Sequence, residues 1–226
     1  MSSRIPFLRN LLIVCLVLPT ASSMISFSSA ARFKKEMSGI RKSTFALDEL
    51  AAYVDIDSSK QQAIRKVLTI ICQYNDGMQD DLKLAIANEI FRMSVKYENL
   101  DIDLICATIT HESARTWEPT VVSHAGALGL MQIMPYTGYF LSKHEGVPWT
   151  NARQVLFDPV NNIRMGCRYL SRLIELYSVD GGLAAYNGGP RRAAMWLASG
   201  RNDQVLFEET RTYVPAVLKL YDTFKN

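Results

Sequence analysis

A chain of 226 residues with 48% apolar and 21% charged side chains has the make-up of one ordinary globular domain with appendages, which excludes a disordered or fibrous protein. The chain carries 25 basic and 22 acidic side chains; residues 1–30 hold Arg4, Arg9 and no acid, so residues 31–226 carry 25 − 2 = 23 against 22, or +1. So small an excess leaves no basic footprint for nucleic acid, and it neither demands nor forbids an anionic polymer as ligand.

Residues 1–30 read as an export segment. Arg4 and Arg9 form a positive start, Leu11 to Leu18 is an unbroken apolar run stopped by Pro19, and Ser28-Ser29-Ala30 resembles a cleavage site. Weaker apolar character through Met24, Ile25 and Phe27 leaves a retained anchor as the alternative, because roughly 20 residues span a bilayer. Residues 11–30 would then attach the chain to a membrane. Either way the rest of the chain is expected outside the cytoplasm. Cys15 is a poor lipidation site, since Leu16, Val17 and Leu18 prolong the apolar run behind it. That leaves Cys72, Cys106 and Cys167, an odd set with no CxxC pair, and no metal or other cofactor is expected. Export permits a disulfide among the three, but the sequence does not choose a pair. Cys106 and Cys167 fit their apolar patterns as small buried side chains.

From there on the periodicity is helical. Ile64, Val67, Leu68 and Ile71 share a face after the start signal Asp57-Ser58-Ser59 and before Gly77. Leu82, Ile86, Ile90, Met93 and Tyr97 form a second stripe. Ile102, Ile105, Cys106 and Ile109 form a third, capped by Asp101 or Asp103. Ile163, Cys167, Leu170, Ile174 and Tyr177 form a fourth after Asp158-Pro159, and Val214, Val217, Leu218 and Tyr221 a last. A Gly-rich stretch, Ser123 to Gln132, precedes Pro135. Asn187-Gly188-Gly189-Pro190 should end one helix and begin the next, and Gly181-Gly182 reads as similar punctuation. Alternating strands are absent from the pattern. The expected class is mostly α, with a small irregular or β element between Trp117 and Gln132.

Glu112 is the residue with chemistry. At 100° per residue it lies within about 20° of Ile105, so it ends the third apolar stripe. A carboxylate there is costly, and burial favours the protonated form. A carboxylic acid still protonated near neutrality can hand a proton to a departing glycosidic oxygen. The structural alternative is a helix-terminal glutamate turned to water. His111-Glu112 begins like a zinc-protease helix, but Arg115 stands where a second histidine is needed. Arg191-Arg192 reads as a solvated helix start or a rim contact to peptide stems.

Four motifs around this residue resemble the soluble-type lytic transglycosylase family, which has a goose-lysozyme-like fold. Glu112-Ser113 is similar to its Glu-Ser motif, Gly126 to Pro135 (GALGLMQIMP) to its Gly-Leu-Met-Gln motif, Ala185 to Pro190 (AYNGGP) to its Ala-Tyr-Asn motif, and Glu209 to Val214 (ETRTYV) to its terminal motif. Their order matches, and the resemblance runs from about Leu82 to Tyr221. It implies residues 81–226 as a lysozyme-like transglycosylase domain, with 31–80 as a helical N-terminal extension. One departure stands out: the family's aromatic and proline, usually three and five residues after the Glu, are here Trp117 and Pro119, five and seven after. Ser123 shifts by the same two residues.

The resemblance implies cleavage of peptidoglycan glycan strands between N-acetylmuramic acid and N-acetylglucosamine. Glu112 would act first as acid and then as base, and the muramic acid's own 6-hydroxyl would close a 1,6-anhydro end. Tyr186 would bond near Glu112 and the reacting sugar. Asn187 would order its loop, bond an acetamido group, or simply cap its helix. Ser123 and Gln132 would line the cleft and hold N-acetyl groups, with Met131 as an apolar wall. Ser113, Glu209 and Tyr213 would brace the site from behind. Two other functions fit less of the pattern: a lysozyme-type hydrolase, with Asp103, Glu118 or Glu145 as a water-activating partner, and an idle wall-binding module, which has no reason to keep Glu112.

Overall fold

The computed structural model describes residues 37–38 and 58–226. The export segment and most of the stretch up to residue 57 lie outside the described residues. The chain divides into two units, Met1–Ile56 and Asp57–Asn226, and the second carries all that follows.

That unit is a packed set of helices. In chain order they are α1 (58–74), α2 (Asp80–Lys96), α3 (Ile102–Glu112), α4 (Pro135–Glu145), the short α5 (Ala152–Leu156), α6 (Pro159–Gly188), α7 (Pro190–Ala198) and α8 (Glu208–Lys225). The five apolar stripes face inward as their spacing demands. Val67, Ile71, Ile86, Ile90, Ile105, Ile109, Ile163, Leu170 and Val217 are each fully buried in one continuous core. Because α1 supplies Val67, Ile70 and Ile71 to that core, residues 58–80 belong to the domain itself. The expected boundary at residue 80 is displaced, and the division falls at Ile56/Asp57.

Caps settle the helix starts. Asp101, not Asp103, caps α3, accepting from the Leu104 N–H at 2.8 Å; Asp103 instead accepts from Lys66 Nζ of α1 at 2.9 Å. Asp158 caps α6 through Asn161, with Pro159 in the first turn. Gly189, at φ +89°, makes the turn between α6 and α7.

The long α6 breaks once, at Ser178 (φ +61°, ψ +179°). Gly181 and Gly182, expected as the punctuation, lie inside the second half of α6 and serve packing. A Cβ on Gly181 would stand 2.9 Å from Tyr177 Cβ, and one on Gly182 2.6 Å from Ile174 Cγ1. These close approaches seat the second half of α6 on the end of its first half. The expected β element is present in its smallest form, two antiparallel bridges pairing Val122 with Leu128 and Leu128 with Ile133.

Candidate active site

Glu112 is the last residue of α3, a helix that packs along α8. Its location carries three costs for a negative charge. The side chain keeps only part of its surface open, and dense protein around the carboxyl group desolvates it. The negative end of the helix dipole adds to the disfavour. Glu209 of α8 adds like-charge repulsion. Only the Tyr213 hydroxyl pulls the other way, and the net effect lifts the carboxyl pKa to about 7. No ion pair to Glu112 exists among the described residues.

Tyr213 is buried, with its ring edge-on to His111 at 4.7 Å between centroids. Its hydroxyl makes no hydrogen bond of ordinary geometry, and the group it acts on is the Glu112 carboxyl. The contact is a close polar one without good alignment. Burial first, and then the charge of Glu112, push the Tyr213 phenol well up.

The segment after Glu112 is unusually wound. Ser113 ends α3, and Ala114, Arg115 and Trp117 take left-handed φ values of +52°, +63° and +50°. For residues with a Cβ each such position costs roughly 1 kcal/mol or more. The surroundings enforce it: Ser113 Oγ accepts from the Trp117 N–H at 3.1 Å, and Trp117 Nε1 donates to Thr110 Oγ1 at 2.9 Å. Trp117 is fully buried, while Ala114, Arg115 and Thr116 are exposed. The altered spacing is absorbed as an outward loop beside Glu112. Ser113 thus holds that loop through the Trp117 N–H.

The Gly-rich stretch lies in a clamp that no motif announced. Asn162 of α6, fully buried, accepts from the Met131 N–H at 2.7 Å and donates to the carbonyls of Leu128 and Leu156 at 2.8 and 2.9 Å. Gly129 (φ +80°) lies so close that a Cβ would stand 2.3 Å from Asn162 Nδ2 and from the Leu156 carbonyl, which is why this position is glycine. Gln132, at φ +48°, donates its amide to the carbonyls of Gly129 (2.8 Å) and Val121 (3.2 Å). Its side-chain carbonyl accepts from no group among the described residues. Ser123 Oγ accepts from the Ala127 N–H at 3.0 Å, which frees the hydroxyl hydrogen to donate.

Met131 departs from expectation. It is fully buried, its sulfur 3.9 Å from Cys167 Sγ and its side chain lying over Gly166. It is core beneath the loop and not a cleft wall, and it reaches the site only through its carbonyl, which accepts from the Tyr186 hydroxyl at 2.8 Å. Tyr186 leans on Tyr169 with ring centroids 5.4 Å apart. Desolvation first and the charge of Glu112 second raise its phenol pKa, so it remains a neutral donor and acceptor. Asn187 is no cap, because α6 runs on to Gly188. It accepts from Thr210 Oγ1 at 2.6 Å and donates to Glu209 at 3.2 Å, linking the end of α6 to α8.

The other acids weighed from sequence are occupied elsewhere. Glu145 pairs with Lys96 and Arg168, Asp103 with Lys66, and Glu118 accepts from Thr120. The acid that acts electrostatically on Glu112 is Glu209. Cys72 is exposed, Cys106 and Cys167 are buried, and all three are free thiols.

The fold and the site together define a helical domain with one desolvated glutamate at a helix end, without a cationic partner among the described residues. The family model for the transglycosylase SLT domain matches residues 89–205, just over half of the chain; the chain belongs to this family. Among curated proteins, the soluble lytic murein transglycosylase of Escherichia coli K12 is 35% identical over 166 residues, covering 69% of this chain and 25% of that protein. A membrane-bound lytic murein transglycosylase C of Photorhabdus laumondii is 40% identical over 110 residues, 44% of this chain and 30% of that protein. Among solved structures, an inactive glutamate-to-glutamine mutant of the lytic transglycosylase Slt of Pseudomonas aeruginosa matches with TM-score 0.53 and 32% identity, covering 60% of this chain and 23% of that one. The chain therefore spans about a quarter of the length of the soluble relatives it matches.

Proposed function

We propose that this protein is a peptidoglycan lytic transglycosylase with Glu112 as its single catalytic carboxyl group. The observation that carries the reading is the state of that group. With a pKa of about 7 and no cationic partner, it is about half protonated at neutral pH, where acid–base exchange is most effective. The acid donates its proton to the glycosidic oxygen that leaves with N-acetylglucosamine. The resulting carboxylate takes the proton of the muramic acid 6-hydroxyl as that oxygen bonds to C1. The carboxyl group returns to its starting form and no water is consumed. An intramolecular nucleophile avoids most of the entropy cost of capturing a water. A second carboxylate, which glycoside hydrolysis ordinarily needs, is not required. The free carbonyl of Gln132 and the hydroxyl of Ser123 suit N-acetyl groups, and Tyr186 suits the reacting sugar. The inactivity of the glutamate-to-glutamine mutant in the Pseudomonas relative agrees with this assignment.

The domain acts outside the cytoplasm, after cleavage of residues 1–30 or while anchored by them. A reporter that works only when exported, fused after Asn226, should be active; activity of a cytoplasm-only reporter at the same junction contradicts that location. The test of the chemistry is digestion of purified peptidoglycan by wild type and by Glu112→Gln. Release of anhydromuropeptides by the first alone supports the reading, and equal release by both overturns it.

A further inference from the structure

Helix α4 leaves the Gly-rich loop with an uncovered row of aromatic rings. Its inner face is small: Gly138 and Ser142 are buried, and a Cβ on Gly138 would come to 3.1 Å of Leu156 and 3.2 Å of Trp149. Its outer face carries Tyr136 at 74% exposure, Phe140 at 46% and Tyr139 at 40%. The rings stand edge-on in sequence. Centroids are 4.8 Å apart for Tyr136 and Phe140, 5.8 Å for Phe140 and Tyr139, and 5.9 Å for Tyr139 and Trp149. Lys143 Nζ sits 4.3 Å over the Tyr139 ring. Met134, just before the helix, is also exposed.

Such a row is not explained by folding, since burial of its outer faces contributes nothing to the core. Its extent limits what it can bind. Three part-exposed rings present on the order of 300 Å², well short of the roughly 800 Å² per partner of a standard protein interface. Its make-up is aromatic and cationic, with no aliphatic cluster of the kind that lines a helix groove. Flat rings beside tyrosine hydroxyls match the axial C–H faces of pyranose rings edged by hydroxyl and amide groups. Its position is on the helix that follows directly on the Gly-rich loop: Gln132 is separated from Tyr136 by three residues.

We propose that the Tyr136–Phe140–Tyr139 row is an outlying glycan subsite, on which sugars of the peptidoglycan strand beyond the reacting pair stack. The proposal rests on the reading of the chain as a lytic transglycosylase. The row adds affinity and processive hold on long strands and leaves the chemistry at Glu112 untouched. Lys143 meets the anionic groups that such a strand carries.

The test uses the full chain with Tyr136→Ala and Phe140→Ala together, in wild-type and in Glu112→Gln backgrounds. In the Glu112→Gln background, binding to purified sacculi and to peptide-stripped glycan strands should each weaken about threefold to tenfold. In the active background KM on sacculi should rise by a similar factor, with kcat and the turnover of a muropeptide tetrasaccharide unchanged. The exchange Tyr136→Phe with Phe140→Tyr should restore binding, which a merely unfolded helix would not allow. Unchanged binding in both polymer assays overturns the subsite, as does loss of binding confined to strands that keep their peptides. A shift from dimer to monomer on substitution also overturns it, by assigning the row to self-association. Because binding is read in the Glu112→Gln chain, the subsite stands or falls even where wild type yields no anhydro product, a result that would sink only the assigned chemistry.

Discussion

Glu112 and Glu145 begin from the same position and end as opposite groups. Each is the last residue of its helix, α3 and α4, where the dipole opposes a negative charge. In each, desolvation is the largest influence and pushes the pKa up. Glu145 then receives Lys96 Nζ at 2.6 Å, the Tyr97 hydroxyl at 2.8 Å and Arg168 at 3.1 Å, and these donors hold its carboxyl below the usual range. Glu112 receives only the poorly aligned Tyr213 and the repulsion of Glu209, and rises to about 7. Burial sets the cost of the charge in both, while the partners set its sign. One carboxylate ties α2, α4 and α6 together; the other is free to exchange a proton.

The largest effect should come from Glu112→Gln. Acid–base catalysis contributes about 10²–10⁴-fold, so solubilisation of peptidoglycan should fall by that range. The fold should not suffer. A pKa raised in the folded state means the folded chain holds a proton that the unfolded chain sheds, so the native group weakens the fold as pH climbs from 4.5 towards 7. The neutral amide removes that penalty, on the order of 3 kcal/mol above pH 7, and thermal midpoints at neutral pH should hold or rise. A folded variant that keeps more than about a tenth of the activity breaks the contrast.

Glu145→Gln should do the reverse. Lys96 and Arg168 remain partly exposed, at 44% and 37%, so the loss is that of a screened network, roughly 1–2 kcal/mol, read as a lower denaturant midpoint. Activity per folded molecule should be retained. The depressed pKa of Glu145 makes its contribution present above the ordinary carboxylate range and lost as pH falls through its folded value. Wild type should therefore lose stability in acid by a component that Glu145→Gln lacks.

Smaller shifts test the surroundings of Glu112. Activity that needs the protonated acid should decline as pH rises through about 7. Tyr213→Phe removes the one contact that favours the charged form, so this alkaline limb should move to higher pH. Glu209→Gln removes a like charge and should move it to lower pH, by less. Limbs that move together in one direction would contradict the assigned influences.

Much of this was legible in the sequence because the helical period is a direct consequence of burying one face. Ile105, Ile109 and Glu112 share a face by their spacing alone, and a carboxylate at the end of that stripe is marked by the cost of its position. The clamp was not legible. Asn162 acts on Leu128 and Met131, more than thirty residues away, and nothing local marks an asparagine beside Ile163 as buried. The break in α6 was misplaced because glycine is the usual breaker. Gly181 and Gly182 answer instead to close neighbours, Tyr177 and Ile174, while Ser178 carries no such signal. The motif alone does not show that Met131 turns in over Gly166 while Gln132 beside it stays partly exposed, because that depends on the left-handed turn at Gln132 and on a glycine thirty-five residues away.

In the proposed reaction one carboxyl group suffices because the substrate supplies the nucleophile. Digestion of purified peptidoglycan in ¹⁸O-labelled water, followed by mass spectrometry of the muropeptides, decides this. Muramoyl ends should be lighter by one water than hydrolysis products, resistant to borohydride and free of label. Reducible ends carrying ¹⁸O as the main product would contradict it, and would turn attention to Glu209 as the carboxylate placed to activate water beside Glu112.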